Sequence, residues 1–227
     1  MNLGAVGVIV AARMGSSRLP GKAMQPLQGL PMLAFLLRRL RPLRRASVLL
    51  ATTELEADDI LASLAREEGV AVFRGSENDL VARYVGAASA HGLDTVVRVT
   101  GDCPFVDADL VNWGLDRAAG FDRFDLVTTK GRCPIGLDIE IYPSKSMATL
   151  QKAQPLTATH FEHLTLYFYE HQSRYRVCTI DPPDDWRVTT QQFTVDTLTD
   201  YDRARALAAL FDRPNFSVAE MLAKVAA

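Results

Sequence analysis

Val8-Ile9-Val10-Ala11-Ala12-Arg13-Met14-Gly15-Ser16-Ser17-Arg18-Leu19-Pro20-Gly21-Lys22 decides how the rest of this chain is read. Its opening is apolar and rich in β-branched residues, the composition of a buried strand. The chain then becomes small, glycine-rich and basic. Arg13, Arg18 and Lys22 fall within one loop, interleaved with Gly15, Ser16, Ser17 and Gly21. Such a loop can turn its backbone N–H groups toward phosphate oxygens while its cations neutralise them. Leu33, Leu36, Leu37 and Leu40 follow at helical spacing. Strand, phosphate-type loop and helix together make the opening of a nucleotide site.

The loop has rivals to a phosphate-binding role. An ordinary βα connection could be basic by accident. Yet three cations among glycines at the carboxyl end of a first strand put charge where α/β sheets bind their ligands. A P-loop ends in Gly-Lys, as Gly21-Lys22 does. Here, however, five residues rather than four separate Gly15 from Gly21, and Ala23 stands where a Ser or Thr would bind magnesium. A dinucleotide fingerprint requires G-x-G-x-x-G, which the loop lacks.

Composition narrows the partners. The 227 residues are 48% hydrophobic and 23% charged, a balance that suits one globular α/β domain over 1–227. The net charge of −2 argues against a nucleic-acid partner, so the basic loop is a local feature suited to a small anion. Cys103, Cys133 and Cys178 are too widely spaced for a disulfide framework or a zinc pattern, so reduced thiols and a cytoplasmic location are expected. The N-terminal apolar run lacks a basic n-region and leads straight into the proposed site, so no signal peptide is expected. No apolar stretch is long enough to span a bilayer, and no membrane partner is expected.

Beyond the first helix the pattern alternates. Strands are predicted at 47–52, 70–73, 95–100 and 124–128, and helices at 57–67, 80–91 and 108–119. This predicts an α/β fold, a mostly parallel sheet with helices on both faces. The pattern then loosens. A hairpin is expected over 129–143 around Gly131, Pro134 and Gly136, with helices at 144–153 and 159–171. Strands at 174–180 and 192–195 and a helix at 199–211 close the chain. Residues 129–190 read as an insertion that could cover an acceptor site, a dimer contact or both.

Acidic residues mark the second half of the site. In Arg98-Val99-Thr100-Gly101-Asp102-Cys103-Pro104, Asp102 follows a hydrophobic strand at its carboxyl end. That is where a carboxylate can reach a metal bound to phosphates, and magnesium accepts one or two carboxylates alongside phosphate oxygens and water. The alternative is an Asp that caps a helix, although Asp107 and Asp109 lie nearer the next one. Asp196, in Phe193-Thr194-Val195-Asp196-Thr197, also ends a strand-like run and could equally be a cap, with Asp200 in the first helical turn. Asp138 and Glu140 alternate with apolar residues, so on a strand both would face one side. Asn78 and Asp79 precede a helix and could simply cap it. His160 and His163 lack further ligands at zinc spacing.

Residues 12–22 resemble the N-terminal signature of the cytidylyltransferases that activate sugar acids, which include the CMP-Kdo and CMP-acylneuraminate synthetases. The likeness is to the SpsF-like branch, named for spore-coat polysaccharide biosynthesis, and it extends over nearly the whole chain. Gly101-Asp102 is similar to that family's metal motif, and Val195-Asp196-Thr197 to its C-terminal valine–aspartate–threonine motif, with Leu198 where the family usually has Pro. The resemblance implies a Rossmann-like nucleotidyltransferase fold and transfer from CTP to a sugar acid with release of pyrophosphate. It implies Mg²⁺ held by Asp102 and Asp196, with Arg13, Lys22 and Asp102 as the catalytic residues. The implied nucleotide site comprises Ala11, Ala12, Arg13, Gly15, Ser16, Ser17, Arg18, Lys22 and Thr100, with Asn78, Asp79 and Arg83 toward base and ribose. Asp138, Glu140, Glu162 and His163 would face the acceptor, and a homodimer is a further implication.

Acceptors other than a sugar acid, such as a phosphonate or sugar phosphate, fit the same scaffold. A non-catalytic nucleotide-binding protein would need the basic loop but not both aspartates. A glycosyltransferase would show Asp-x-Asp at a strand end, whereas Asp107-Ala108-Asp109 sits at a helix start.

Overall fold

The computed structural model describes residues 2–153, 155–186 and 189–226; residues 154, 187 and 188 of the expected insertion lie outside the described residues. The chain begins with β1 (Val6–Ala11) and passes through a short hairpin, β2 (Pro26–Leu27) and β3 (Leu30–Pro31), into α1 (Met32–Leu40). Next come β4 (Ala46–Thr53), α2 (Asp59–Glu67), β5 (Ala71–Gly75), α3 (Leu80–Ala90), β6 (Thr95–Thr100) and α4 (Ala108–Ala119). The second half contains β7 (Leu126–Thr128), β8 (Glu140–Pro143), α5 (Ser144–Ala153), α6 (Ala158–Glu162) and α7 (Leu166–Glu170). It closes with β9 (Val177–Thr179), α8 (Leu198–Ala208) and α9 (Val218–Ala226).

The seven-stranded sheet has the order β5-β4-β1-β6-β8-β7-β9. β5, β4, β1 and β6 are parallel, and β8 runs antiparallel between β6 and β7. β1 lies inside the sheet, paired on both sides, and Val8, Ile9 and Val10 are fully buried. Burying each such side chain stabilises the fold by about 1.5–3 kcal/mol. The pleat sends Val8 and Val10 into one cluster with α1, α2, α4, α8 and α9, and Ile9 into another with α3, α5 and α7. Helices therefore cover both faces, as the alternating pattern predicts.

Helix starts follow local chemistry. Asp79 caps α3 by accepting from Ala82 N, Asp107 caps α4 by accepting from Leu110 N, and Thr197 and Asp200 form a capping box at α8. α9 adds a helix beyond the expected elements, and Ser217 and Glu220 exchange hydrogen bonds at its start in the S-x-x-E pattern.

The structure corrects several expected elements. Residues 192–195 are not a strand. Phe193 N donates to Ile135 O and Val195 N to Asp102 O, so alternate amides go to different loops and no ladder forms. Their alternation reflects burial of Phe193 and Val195 instead. The expected helix 159–171 is two helices, α6 and α7, broken over His163-Leu164-Thr165, where Leu164 is buried and Thr165 Oγ1 donates to Glu140. The strand expected at 174–180 is confined to β9, because it pairs with β7 alone over three residues. The hairpin expected over 129–143 is the loop and strand that bring β8 back against β7. The apolar residues Leu164, Tyr167 and Phe168 pack into the chain's own core.

The fold positions the site through close backbone contacts. Gly136 has φ +89°, and a Cβ there would lie 2.6 Å from Thr194 N and 2.7 Å from the Phe193 carbonyl carbon. The 134–137 turn is therefore pressed against the segment that leads to Asp196. Gly136→Ala is expected to cost about 1–2 kcal/mol from the left-handed backbone alone, with more from the backbone clash. Urea unfolding of the variant measures this, and an unchanged midpoint would mean that the turn and the 193–194 segment are not locked together.

Candidate active site

The parallel strands end at one edge of the sheet, and the loops after β1, β5 and β6 converge there around a cleft of about 740 Å³. Ligands of open α/β sheets bind at this edge. The loop after β1 is held by its own backbone. Ser16 N and Gly21 N both donate to Met14 O, and Gly21 has φ +69°. A cross-link that the sequence reading missed ties it to β4: buried Asp58 accepts from Met14 N at 2.7 Å and from the hydroxyl and amide of Thr53. Nothing in the sequence distinguishes Asp58 from Glu56 and Asp59, because its role depends on a loop 44 residues away.

Gly101 brings the loop after β6 against the end of β1. Its N donates to Ala11 O at 2.8 Å, and a Cβ there would meet the Ala12 Cβ at 2.8 Å. This contact sets Asp102 beside the basic loop. Lys22 Nζ lies 3.0 Å from Asp102 Oδ2, 3.0 Å from Asp196 Oδ1 and 2.9 Å from the Val195 carbonyl. Arg18 approaches the same Asp196 oxygen at 3.0 Å from an exposed position. Burial would raise the Asp102 pKa. The Lys22 charge and hydrogen bonds from Thr100, Lys22 and Cys103 more than offset this, so Asp102 stays ionised below the ordinary carboxylate range. The two carboxylates thus converge on a single cation position.

Ala11, Ala12, Arg13, Gly15, Ser16, Ser17, Arg18 and Lys22 line the cleft, as do Asn78, Arg83, Thr100, Asp102 and Asp196. Arg13 lies 3.8 Å from Glu77. Arg83 is buried and donates to the carbonyls of Ser76 and Glu77, so it shapes the 76–78 loop from below. Asp79 does not line the cleft; its carboxylate caps α3.

Glu162 and His163, at the break between α6 and α7, form the facing wall with Ala158 and Phe161. Asp138 and Glu140 do not line the cleft. β8 begins at Glu140, so Asp138 lies outside the strand, where it accepts from Gly136 N. Glu140 is buried and accepts from Arg98 Nη1 at 2.6 Å, Tyr169 OH at 2.6 Å and Thr165 Oγ1 at 2.8 Å. Arg98 itself does line the cleft. The sequence reading gave it no role, although a cation inside the otherwise uncharged run Thr95-Val96-Val97-Arg98-Val99-Thr100 is a visible anomaly. His160 completes a capping box with Thr157 and contacts Glu170 through Nε2 at 2.7 Å, a structural role.

A mostly parallel sheet whose carboxyl edge carries a basic glycine loop opposite two carboxylates has the architecture of a nucleotidyltransferase. The chain belongs to the cytidylyltransferase family, whose match spans residues 7–223. It is 34% identical to the spore coat polysaccharide biosynthesis protein SpsF of Bacillus subtilis, over 94% of this chain and 91% of that protein. A cytidylyltransferase structure from Leptospira borgpetersenii superposes with a TM-score of 0.89 at 31% identity, covering 97% of this chain and 93% of the other. CMP-2-keto-3-deoxy-manno-octonic acid synthetase, solved with CTP, shares the fold at a TM-score of 0.70 and 16% identity, over 91% of this chain and 99% of that one. Among the described residues no helix is long and apolar enough to cross a membrane.

The Glu140 network makes stability depend on pH. Burial would raise the Glu140 pKa, but Arg98, Tyr169 and Thr165 more than compensate and hold it below the ordinary glutamate value. A depressed carboxylate contributes stability above its unfolded pKa and loses it as pH falls through the folded one. Glu140→Gln, which breaks a buried pair, is expected to cost roughly 3–5 kcal/mol near pH 7. The difference from wild type should shrink below about pH 4. Melting temperatures of both proteins from pH 7 to pH 3 test this, and a constant difference would refute the assignment.

Proposed function

We propose that the chain transfers a cytidylyl group from CTP to a sugar acid, with a divalent cation, Mg²⁺, held by Asp102 and Asp196. The observation that carries the reading is the convergence of those two carboxylates on Lys22 Nζ, each at 3.0 Å. Two carboxylate oxygens that share one cation suit Mg²⁺, which would take the place of the Lys22 ammonium as it turns to the triphosphate, with phosphate oxygens and water at its remaining sites. When bound, the ion would neutralise charge on the triphosphate and polarise the α-phosphate. A protein that merely binds phosphate needs the basic loop but not this acidic pair opposite it.

In the reaction an acceptor oxygen forms a bond to the α-phosphorus of CTP. The bond from that phosphorus to the bridging oxygen breaks, pyrophosphate departs with the bonding electron pair, and the acceptor hydroxyl's proton passes to solvent water. The protein's part is mainly positioning and charge stabilisation. Arg13, Arg18 and Lys22 neutralise the triphosphate and the departing pyrophosphate. The loop's backbone amides and Gly15, which leaves the approach open, take the phosphate oxygens. Residues 129–190 supply the acceptor wall through Glu162 and His163, all within one domain. The sugar-acid acceptor is supported by the names of relatives, one in spore coat polysaccharide biosynthesis and one a synthetase for the CMP conjugate of an octonic acid. The reaction would serve polysaccharide or glycan biosynthesis in the cytoplasm.

Pyrophosphate release with Mg²⁺, scanning the four NTPs against sugar acids, sugar phosphates and phosphonates, tests the reading. Turnover with CTP and a sugar acid is expected, and turnover confined to a phosphonate or sugar phosphate would replace the acceptor class. Lys22→Ala should lower kcat by roughly 10²- to 10³-fold, as loss of a transition-state contact does, with a much smaller change in CTP affinity measured by calorimetry. Equal, small losses in both would count against that role. Asp102→Asn should abolish Mg²⁺-dependent turnover with an unchanged circular dichroism spectrum, and a normal rate at low Mg²⁺ would contradict the ligand assignment.

A further inference from the structure

We propose that Arg98 is the acceptor-side anion contact, binding the acceptor's carboxylate, and that Glu140, Thr165 and Tyr169 are positioning residues that hold its guanidinium toward the cleft. The inference deepens the sugar-acid reading and rests on it.

Arg98 occupies β6, two residues before Thr100 and four before Asp102, so its strand carries a cleft cation and leads to a proposed metal ligand. Its register partner across the sheet is Glu140 at the start of β8, which belongs to the 129–190 segment. Glu140 is in turn fixed by Thr165 and Tyr169, and Thr165 lies in the same helical break that presents Glu162 and His163. Arg98 is therefore stapled to the segment that forms the acceptor wall, not to the phosphate loop.

The other cleft cations are committed elsewhere. Arg13, Arg18 and Lys22 belong to the basic loop, and Arg83 donates to Ser76 O and Glu77 O. Glu140 engages Arg98 through Nη1, about a fifth of the Arg98 side chain (21%) remains accessible, and its buried Nε has no hydrogen-bond partner among the described residues. A guanidinium fixed at one end by Glu140, with part of its surface open at the cleft wall, is suited to a carboxylate: it is planar, permanently charged and needs little ordering on binding. A buried Glu that only neutralised a core Arg would need no opening at all. Here the pair sits at the cleft wall, and the carboxylate rather than the arginine is the enclosed partner.

The test compares wild type, Arg98→Met, Arg98→Lys and Glu140→Gln by steady-state pyrophosphate release and by calorimetric CTP binding. The acceptor probes are 3-deoxy-manno-octulosonate, N-acetylneuraminate, a sugar phosphate and a phosphonate. Arg98→Met should raise the KM of the acceptor that wild type uses roughly 10- to 100-fold, the loss expected for one charge-assisted contact, with CTP affinity within about twofold. Arg98→Lys should recover part of this, because it keeps the charge but not the fork. Glu140→Gln should raise the same KM at a temperature where its circular dichroism shows it folded. The methyl ester of the acceptor acid should bind wild type more weakly, yet be insensitive to Arg98→Met. An unchanged acceptor KM in Arg98→Met, or a loss of CTP affinity equal to the loss of acceptor affinity, overturns the Arg98 assignment while the sugar-acid reading stands. Wild-type turnover only with a phosphorylated acceptor overturns the carboxylate contact together with the sugar-acid reading.

Discussion

One ammonium group between two carboxylates sets the geometry on which the rest of the site depends. Lys22 comes from the end of the basic loop, Asp102 from the turn after β6, and Asp196 from the segment before α8. Three distant parts of the chain are thereby brought to one point, 80 residues apart in one case and 174 in another. Two carboxylates this close repel unless a cation lies between them. Lys22 supplies that charge, and the place its ammonium fills is the one proposed above for a divalent ion that arrives with the triphosphate. The electrostatics that hold the site together thus also define what can enter it.

Glycines turn that electrostatic requirement into a structural one. Gly101 lets the β6 turn approach the end of β1, and Gly136 lets the 134–137 turn lie against residues 193 and 194. A side chain at Gly101 would push the Asp102 turn off the end of β1, and one at Gly136 would push the 134–137 turn off the segment that leads to Asp196. The extended segment 192–195 is held by amides that reach Ile135 and Asp102, so it tethers the 134–137 turn to the carboxyl edge of the sheet rather than adding a strand.

Charge pairs elsewhere do less. Arg45 with Asp116 and Arg213 with Glu220 are largely exposed, and such pairs contribute about 0–1 kcal/mol. The pair Arg98–Glu140 differs because Glu140 is enclosed and desolvation makes it costly to leave unpaired, so each group fixes the other. Arg39 offers a second contrast. It is buried, donates to the carbonyls of Phe105, Pro214 and Phe216, and stacks over Phe216, which fastens the C-terminal region to the core without reaching the cleft. Arg39 is enclosed and Arg98 half-buried, and what separates their roles is whether the guanidinium borders open space.

The sequence by itself determined the alternating α/β pattern, the basic, glycine-rich loop from Arg13 to Lys22 and the placement of Asp102 after a buried strand. These are local signals: β-branched runs, helical spacing and glycines among cations act over a few residues and survive without tertiary context. Asp79 shows the limit of such signals, because a helix cap and a ligand contact have the same local appearance, and its carboxylate caps α3. Tertiary structure alone decided that Glu140 is enclosed while Arg98 borders the cleft, that Asp58 anchors the basic loop, and that residues 192–195 bridge two loops instead of pairing as a strand. Each depends on hydrogen bonds between residues far apart in the chain. Whether a buried polar group serves the core or the site is set by which distant partner reaches it, and periodicity carries no record of that.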